Sequence, residues 1–358
     1  MRVLVAGGGT SVPPANCEHL ADIDLHGERV RFGLVERADT AFDATADHNR
    51  AYVLVEVLLF SLGEGVPGTP ESGPATSRWV EFGSDFVANV LAVGSAVTTM
   101  APGDRVVPVL RWPPVRPDPV SAMENPRRAS RQVQRLHHAQ LLRLPPGIED
   151  AEAACLSTAG ATAYAMVRRA AVEPGDSVLV TESGSATSLA AVQAARHAGG
   201  QVYTLSHGNA ADAMLEKLGV VQSFSLTEPD GPAELAKLAR QRRGFDVIID
   251  PAWGSYFRTA AKLLGFSGRY VAGLGPVTKD GAADWTTAAA GLVARNACFA
   301  GQRLGGREDL ATAVEDLRTG RLQMPVGAQF RGADVGPFVL SSLDSHRNGA
   351  VTYAFTEE

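Results

Sequence analysis

Short apolar segments alternate with helical stretches rich in small residues in the second half of this 358-residue chain. The apolar segments read SVLVT, QVYTLS, DVIID and RYVAGLG, and helical patterns lie at residues 151–169 and 189–197. This alternation is typical of βαβ units, in which helices cover both faces of a parallel sheet. We therefore predict a doubly wound, Rossmann-type α/β domain over residues 151–325.

The first part of the chain has a different pattern. Its segments RVRFGLV, AYVLVEVLLFSL, FVANVLAVG and PGDRVVPVL are rich in β-branched and apolar residues, with glycine and proline clusters between them. The chain returns to strand-like segments from about Val326 and ends in AVTYAF. We predict a mostly-β domain formed by residues 1–150 and completed by residues 326–358.

Composition narrows the class of protein. A formal charge of −6 disfavours a nucleic-acid partner, which normally binds a concentrated basic face. No apolar run reaches the length of a membrane span, and the N-terminus lacks the pattern of a signal peptide. Three widely spaced cysteines, Cys17, Cys155 and Cys298, suggest neither a disulfide framework nor a zinc knuckle. These features predict a soluble, cytoplasmic protein without a nucleic-acid or membrane partner.

The stretch VLVTESGSATSLAAVQ, residues 178–193, has the layout of a phosphate-binding strand, turn and helix. Serine takes the place of each glycine in the G-x-G-x-x-G fingerprint. A serine at the second position either obstructs a pyrophosphate or donates a hydrogen bond to it, and the third serine or the threonine before it can instead cap the helix. The predicted cofactor-binding residues of this turn are Thr181, Ser183, Ser185, Ala186, Thr187 and Ser188.

The residues at the strand ends of the predicted sheet include some that favour a nicotinamide cofactor and some that disfavour it. The second strand ends at Ser206 instead of the acid that holds the ribose of NAD, which disfavours NAD and permits NADP. Gly273 and Leu274 follow a later strand and complete the predicted site. Glu182, however, places a carboxylate where a pyrophosphate would be repelled. NADPH is therefore the expected cofactor, and a site that no longer binds a cofactor is the alternative.

Several stretches together resemble the medium-chain dehydrogenase/reductase superfamily, especially its zinc-independent quinone oxidoreductase and enoyl reductase branch. They are LAVGSAVTTMAPGDRVVPV, LLRLPPGIEDAEAACLSTAGATAYAMV, VEPGDSVLVTESGSATSLAAVQAARHAGG, GFDVIIDPAWG and FSGRYVAGLG. The resemblance implies a GroES-like mostly-β catalytic domain beside the Rossmann-type domain, a small-molecule substrate and a homodimer. Trp253 and Trp285 are interpreted as core or dimer-contact residues.

The resemblance also implies where the catalytic residues lie. The histidine triplet of zinc-binding members reads Gly83-Ser84-Asp85 here, so no catalytic zinc is expected. The asparagine common in the zinc-independent branch is replaced by Gly63-Glu64, and Glu64 is either an acid or base or a solvated loop residue. The predicted catalytic residues are Glu64, Asp85 and Tyr52, and the predicted substrate cleft contains Ser61, Gly63, Trp112 and Thr158.

Three functions remain open from the sequence. The first is a reductase that delivers hydride from NADPH to a small activated alkene or carbonyl. The second is a cofactor-free descendant on the same fold, which uses acid and base residues of the interdomain cleft for a cyclisation, isomerisation or elimination. The third is a non-catalytic binding protein on the same scaffold.

Overall fold

The structure is a computed structural model that describes residues 1–25, 27–63, 66, 75–76, 78–110, 128–208, 212–252, 254, 256–273, 281–344 and 349–356. The strands in chain order are β1 Arg2–Gly8, β2 Cys17–Leu25, β3 Glu28–Glu36, β4 Tyr52–Ser61, β5 Asp85–Val93, β6 Arg105–Pro108, β7 Val133–His137, β8 Leu141–Arg143, β9 Ser177–Thr181, β10 Gln201–Ser206, β11 Gln222–Ser225, β12 Phe245–Asp250, β13 Leu264–Ala272, β14 Cys298–Gly301, β15 Val326–Arg331 and β16 Ala350–Ala354. The helices are α1 Asp150–Ala153, α2 Ala161–Ala170, α3 Ala186–His197, α4 Asp212–Lys217, α5 Gly231–Arg242, α6 Phe257–Ala260, α7 Gly281–Ala294, α8 Arg307–Arg318 and α9 Val335–Leu343. Short 3₁₀ helices lie at Asp47–Asn49, His138–Gln140 and Ala261–Leu263, and a π-helical turn lies at Leu156–Gly160.

The N-terminal strands form two sheets. The antiparallel sheet β1-β3-β2 has three strands, and the larger sheet has the order β15-β16-β4-β5-β6-β8, with β7 also paired to β4. The alternating burial of β4 shows that one face of this strand packs on the core, as expected for an antiparallel sheet. Both C-terminal strands join this sheet, because β16 pairs with β15 and with β4.

The second half of the chain forms a parallel six-stranded sheet with the order β11-β10-β9-β12-β13-β14. In the numbering of this sheet alone the order is 3-2-1-4-5-6, which is that of a dinucleotide-binding fold. The order reverses between β9 and β12, and folds of this kind bind their ligands beyond the carboxyl ends of the strands at such a point. The predicted fold class, a mostly-β region combined with a doubly wound parallel sheet, is confirmed.

One hydrophobic core connects the two halves of the molecule. It extends from Leu59 and Val87 in the larger antiparallel sheet, through Met166 of α2, to Val178 and Val180 of β9. Burial of apolar surface is the main stabilising contribution in such a core. The carboxyl ends of β9 and β12 are therefore held next to the antiparallel sheet.

Three element boundaries differ from the sequence prediction. The helical pattern at 151–169 is divided into α1, the π-helical turn and α2, and α3 begins at Ala186 instead of Leu189. The C-terminal strand region contains a helix, α9, between β15 and β16. The first two differences arise because apolar periodicity cannot distinguish an α-helix from a π-helical turn and cannot detect a polar first turn.

Candidate active site

The serine-rich turn lies at the carboxyl end of β9. The strand ends at Thr181, Glu182 takes the left-handed conformation with φ of +54°, and Ser185 is the extended residue immediately before α3. A left-handed conformation is unfavourable for residues other than glycine. This position therefore adds both a strained backbone and a carboxylate to the turn.

Two of the three serines bond to each other and to the turn. The Ser188 amide donates to Ser185 Oγ at 3.2 Å, and Ser185 Oγ donates to Ser188 Oγ at 2.9 Å. Ser188 Oγ in turn donates to the Thr181 carbonyl at 2.7 Å. The prediction that Thr187 or Ser188 caps the helix is wrong, because the extended backbone of Ser185 directs its hydroxyl to the first turn of α3. The Ser188 hydroxyl links the helix to the strand where the fingerprint has glycine.

The remaining serine of the turn, Ser183, has a buried hydroxyl without a hydrogen-bond partner among the described residues. Ser183 is 1% exposed. The amides of Ala186 and Thr187 begin a 12-residue helix, and within the described part of the chain neither donates to a carbonyl. Free amides at a helix N-terminus attract an anion. The turn thus fits the pyrophosphate of a dinucleotide at one hydroxyl and two amides.

A buried carboxylate joins the two central strands of the parallel sheet. Asp250, at the end of β12, is fully buried and accepts from Thr181 Oγ1 at 2.5 Å and from the Tyr270 hydroxyl. Burial first, and the charge of Asp250 second, raise the pKa of Tyr270 well above its usual value. Tyr270 therefore stays protonated as a donor, and Asp250 fixes the end of the strand that leads into the turn.

The end of β10 is the predicted ribose side of the site. Ser206 is buried, and its hydroxyl donates to the Gly208 carbonyl. The ring of His207 lies 4.7 Å, centroid to centroid, from that of Tyr256. Burial, followed by the negative charge of Glu182, raises the pKa of Tyr256. An aromatic pair and a carboxylate therefore border the turn on this side.

Close backbone packing occurs at two glycines near the turn. A Cβ on Gly273 would lie 2.5 Å from the Pro251 carbonyl oxygen, so only glycine fits there without movement. The Gly349 amide donates to the Gly184 carbonyl at 3.0 Å, which brings the C-terminal segment onto the turn. Leu274, the remaining predicted cofactor contact, lies outside the described residues.

Three predicted substrate-cleft residues and one predicted catalytic residue converge where the antiparallel sheet meets the π-helical turn. The cleft residues are Ser61, Gly63 and Thr158, and the catalytic residue is Asp85. Both carboxylate oxygens of Asp85 accept from the Thr158 amide, at 2.8 and 3.1 Å. A Cβ on Gly63 would lie 2.5 Å from Ser84 Oγ and 3.0 Å from Thr158 Oγ1. Ser61 Oγ donates to the Ala154 carbonyl at 3.1 Å. These bonds link β4 and β5 to the start of the second half of the chain.

Two further groups at this joint were not predicted as site residues. Ser157, next to Thr158, is 1% exposed, and its hydroxyl has no partner in the described part of the chain. The π-helical turn that carries it is a feature often found at functional sites, but its sequence resembles an ordinary helix. Burial, with the charge of Asp85 second, raises the pKa of the Cys155 thiol. A thiol in that state is a poor nucleophile.

Tyr52 does not lie with the other predicted catalytic residues. Tyr52 is the first residue of β4 and Ser61 is the last, so up to roughly 30 Å of extended strand separates Tyr52 from Ser61. Arg135 covers the Tyr52 ring at 3.6 Å from its centroid, and His137 packs against the ring edge. Glu64 and Trp112 lie outside the described residues, as does Trp253. Trp285 is partly exposed and stacks on Phe257.

The described residues contain no group of three or more histidine, cysteine, aspartate or glutamate side chains that could hold a metal ion. Ser84 lies at the position where the resemblance implies the histidine of a metal-binding triplet, and a hydroxyl is not a preferred zinc ligand. None of the helices in the described ranges is sufficiently long and apolar to cross a bilayer.

Comparison with known proteins agrees with this architecture. A family model described as zinc-binding dehydrogenase matches residues 186–319. The crystal structure of an NAD-dependent alcohol dehydrogenase superposes with a TM-score of 0.76 at 22% identity, over 99% of this chain and 100% of that one. The CurK enoyl reductase superposes with a TM-score of 0.68 at 16% identity, over 90% of this chain and 95% of that one. The chain therefore has the fold of these alcohol dehydrogenase and enoyl reductase structures, and residues 186–319 match the zinc-binding dehydrogenase family.

Among curated proteins this chain is similar to parts of much larger synthases. It is 31% identical over 191 residues to the polyketide synthase GfsB of Streptomyces halstedii, a region that covers 53% of this chain. It is 27% identical over 195 residues to a mycocerosic acid synthase-like polyketide synthase of Mycobacterium tuberculosis. The matched regions are 3% and 8% of the length of those relatives.

Proposed function

We propose that the chain is an NADPH-dependent, zinc-independent reductase of a small activated alkene or carbonyl, of the enoyl or quinone kind. The observation that carries this proposal is the buried, unpartnered Ser183 hydroxyl beside the free amides at the start of α3. Together they offer three donors to a pyrophosphate at the point where the strand order of the sheet reverses.

Each part of the turn has a defined task in this proposal. The Ser183 hydroxyl and the amides of Ala186 and Thr187 would hold the pyrophosphate, and Ser206 would lie at the adenosine ribose. NADPH supplies the hydride when it is bound. The link from Asp250 to Thr181 keeps the strand end in place, so the donors are positioned before the nucleotide arrives.

The residues at the joint between the two halves would contact the substrate. The hydroxyls of Ser84 and Thr158 lie 3.4 Å apart and can donate to a substrate carbonyl oxygen. Asp85 holds the Thr158 amide with both of its oxygens, so it acts as a positioning residue for this turn. Hydrogen bonds to a carbonyl polarise an adjacent alkene toward hydride attack at its far carbon. The enoyl type of substrate is further supported by the similarity to polyketide synthases and to the CurK enoyl reductase.

One observation favours the second candidate, a cofactor-free enzyme. Glu182 adds a carboxylate to the turn. The Ser188 amide already donates to Ser185 Oγ, so it is not available to a pyrophosphate. The turn therefore has fewer free donors and more negative charge than a glycine fingerprint. In that case Asp85 or Glu64 would serve as an acid or base in a non-redox reaction in the same cleft.

Single-turnover assays separate these candidates. The protein is mixed with NADPH and, in turn, with a quinone, an enone and an enoyl thioester, and the loss of NADPH absorbance is followed. We expect oxidation of NADPH with at least one of the unsaturated carbonyl compounds. No oxidation with any of them, together with no saturable binding of NADPH, would overturn the reductase and leave the cofactor-free enzyme.

The assembly and compartment are part of the same proposal. Strand β14 is the edge of the parallel sheet and pairs only with β13 among the described strands, so a second copy can extend the sheet. A homodimer formed in this way predicts twice the monomer mass in sedimentation equilibrium. The three cysteines are free, which is consistent with the cytoplasm.

A further inference from the structure

Two aromatic side chains meet at the carboxyl edge of the parallel sheet, next to the serine-rich turn. His207 directly follows β10, and Tyr256 directly precedes α6 in the connection that follows β12. Strand β9 lies between β10 and β12 in the sheet. The ring centroids are 4.7 Å apart, and the ring planes are inclined by 47°. This contact therefore joins the two chain segments that flank the end of β9.

The aromatic pair lies close to the turn that follows β9. Thr181, the last residue of β9, is in register with Leu205 of β10, so Glu182 and His207 leave neighbouring strands at the same edge. Burial first, and the negative charge of Glu182 second, raise the pKa of Tyr256, which places its hydroxyl within range of that carboxylate. The pair and the proposed pyrophosphate site therefore share one strand end.

The two aromatic residues differ in how firmly they are held. Tyr256 is 5% exposed and packs in the same hydrophobic core as Leu205, and its hydroxyl is hydrogen-bonded to the backbone of His207. His207 itself is exposed, while Ser206 Oγ donates to the Gly208 carbonyl and so braces the backbone on both sides of it. Exposed side chains change rotamer within nanoseconds. The His207 ring can therefore turn into solvent while the backbone and Tyr256 stay in place.

The pair occupies the end of the sheet at which a dinucleotide fold holds adenosine, because the adenosine ribose lies at the end of the second strand, here β10. A base stacked between two rings needs two aromatic contacts in series, so the ring centroids would have to be roughly 9 Å apart. The rings instead touch each other. We infer that the contact between His207 and Tyr256 is an autoinhibitory latch, which closes the adenosine end of the NADPH site and opens when the His207 ring turns away. This inference rests on the proposed function, because it concerns regulation of the same site.

A latch of this kind lowers the affinity for NADPH without touching the pyrophosphate. The apparent dissociation constant equals the intrinsic one divided by the fraction of molecules in which the latch is open. One aromatic contact changes such an equilibrium by roughly threefold to tenfold. Removal of the His207 ring should therefore tighten NADPH binding by that factor. If the ring were instead a direct contact of the nucleotide, its removal would weaken binding.

Fluorescence titration of the full chain with NADPH tests the latch in the parent, His207→Ala and His197→Ala. We expect the dissociation constant to fall by about threefold to tenfold in His207→Ala. His197→Ala is the matched control and should bind as the parent does, because His197 is also exposed but ends α3, roughly 17 Å along the helix from the turn. Displacement of NADPH by 2′,5′-ADP locates the gain. This compound carries the adenosine without the nicotinamide, so its affinity should rise by the same factor.

The outcomes separate the latch from the proposed function. Normal NADPH binding by the parent, with unchanged or weaker binding by His207→Ala, would overturn the latch and leave the proposed function standing. An equal gain in His197→Ala, or a gain for NADPH without one for 2′,5′-ADP, would also overturn the latch. Absence of NADPH binding to the parent and to both variants would overturn the proposed function and the latch together, whereas binding to His207→Ala alone would support the latch.

Discussion

The two edges of the parallel sheet differ in how they present charge. At the carboxyl edge, the turn after β9 offers neutral donors, the Ser183 hydroxyl and two helix-start amides, beside the carboxylate of Glu182. At the amino edge, five cationic side chains line a surface pocket, and none of its described lining residues is acidic. A dinucleotide fold places its anion at the carboxyl edge, where amides and a helix dipole hold it. The backbone of the turn, and not the distribution of charged side chains, therefore determines where we expect a nucleotide to bind.

The largest expected difference between the edges is in stability. Asp250→Ala removes the carboxylate that accepts from the buried Thr181 and Tyr270 hydroxyls. Because both hydroxyls lose their partner, we expect the free energy of unfolding to fall by about 3 kcal/mol. Asp246→Ala at the other end of β12 is the comparison variant: Asp246 is exposed although its partner Ser177 is buried, so a smaller loss of about 1 kcal/mol is expected. Urea denaturation that gives equal losses for the two variants would show that the ends of β12 do not differ in this way.

Ionic strength should have little effect on nucleotide binding at the turn. NADPH would be held there mainly by amides and a hydroxyl, so its dissociation constant should change little when sodium chloride is raised from low to physiological concentration. Calorimetric titrations in a series of salt concentrations measure this dependence. A tenfold weakening over that range would show that charged side chains hold the nucleotide instead.

The carboxylate of Glu182 is expected to weaken nucleotide binding at the turn. Glu182→Gln removes the negative charge and keeps the left-handed backbone, so NADPH affinity should rise by about fivefold with little change in stability. Glu182→Gly also relieves the strained conformation and should add about 1 kcal/mol to the free energy of unfolding. Fluorescence titration with NADPH and thermal melts check the two effects separately. If the glutamine variant binds NADPH no better than the parent, repulsion by Glu182 is not the cause.

Ser185→Gly is expected to have the smallest effects of these variants: NADPH should bind more tightly, and the protein should become slightly less stable. Ser185→Gly frees the Ser188 amide, which now donates to Ser185 Oγ, and should tighten NADPH by about threefold. Loss of the helix cap should cost only about 0.3 kcal/mol. The same titrations and melts measure both quantities. Weaker NADPH binding in this variant would show that the hydroxyl contacts the nucleotide directly.

Much of this arrangement could be predicted from local sequence. The segments SVLVT and QVYTLS are rich in apolar and β-branched residues. They match β9 and β10 residue for residue. Strand β13 begins at Leu264, five residues before the predicted segment, because Gly265 and Gly268 interrupt the β-like pattern. The convergence of Asp85 with Thr158 was predicted through the family resemblance, whereas the distance of Tyr52 from them depends on the length and direction of β4.

The features that escaped prediction depend on tertiary contacts. The hydroxyls of Ser157 and Ser183 have no partner among the described residues because of what surrounds them after folding, and no spacing in the sequence predicts this.

Binding of NADPH by the serine-rich turn is tested by the variant Thr187→Glu. Thr187 is half-exposed in the first turn of α3, where a carboxylate stabilises the helix but repels a pyrophosphate. NADPH titration of the parent should show saturable binding with one site per chain, and the variant should lose it while its melting temperature stays the same or rises. Absence of saturable binding to the parent, or equal affinity in the variant, would show that the turn does not bind NADPH.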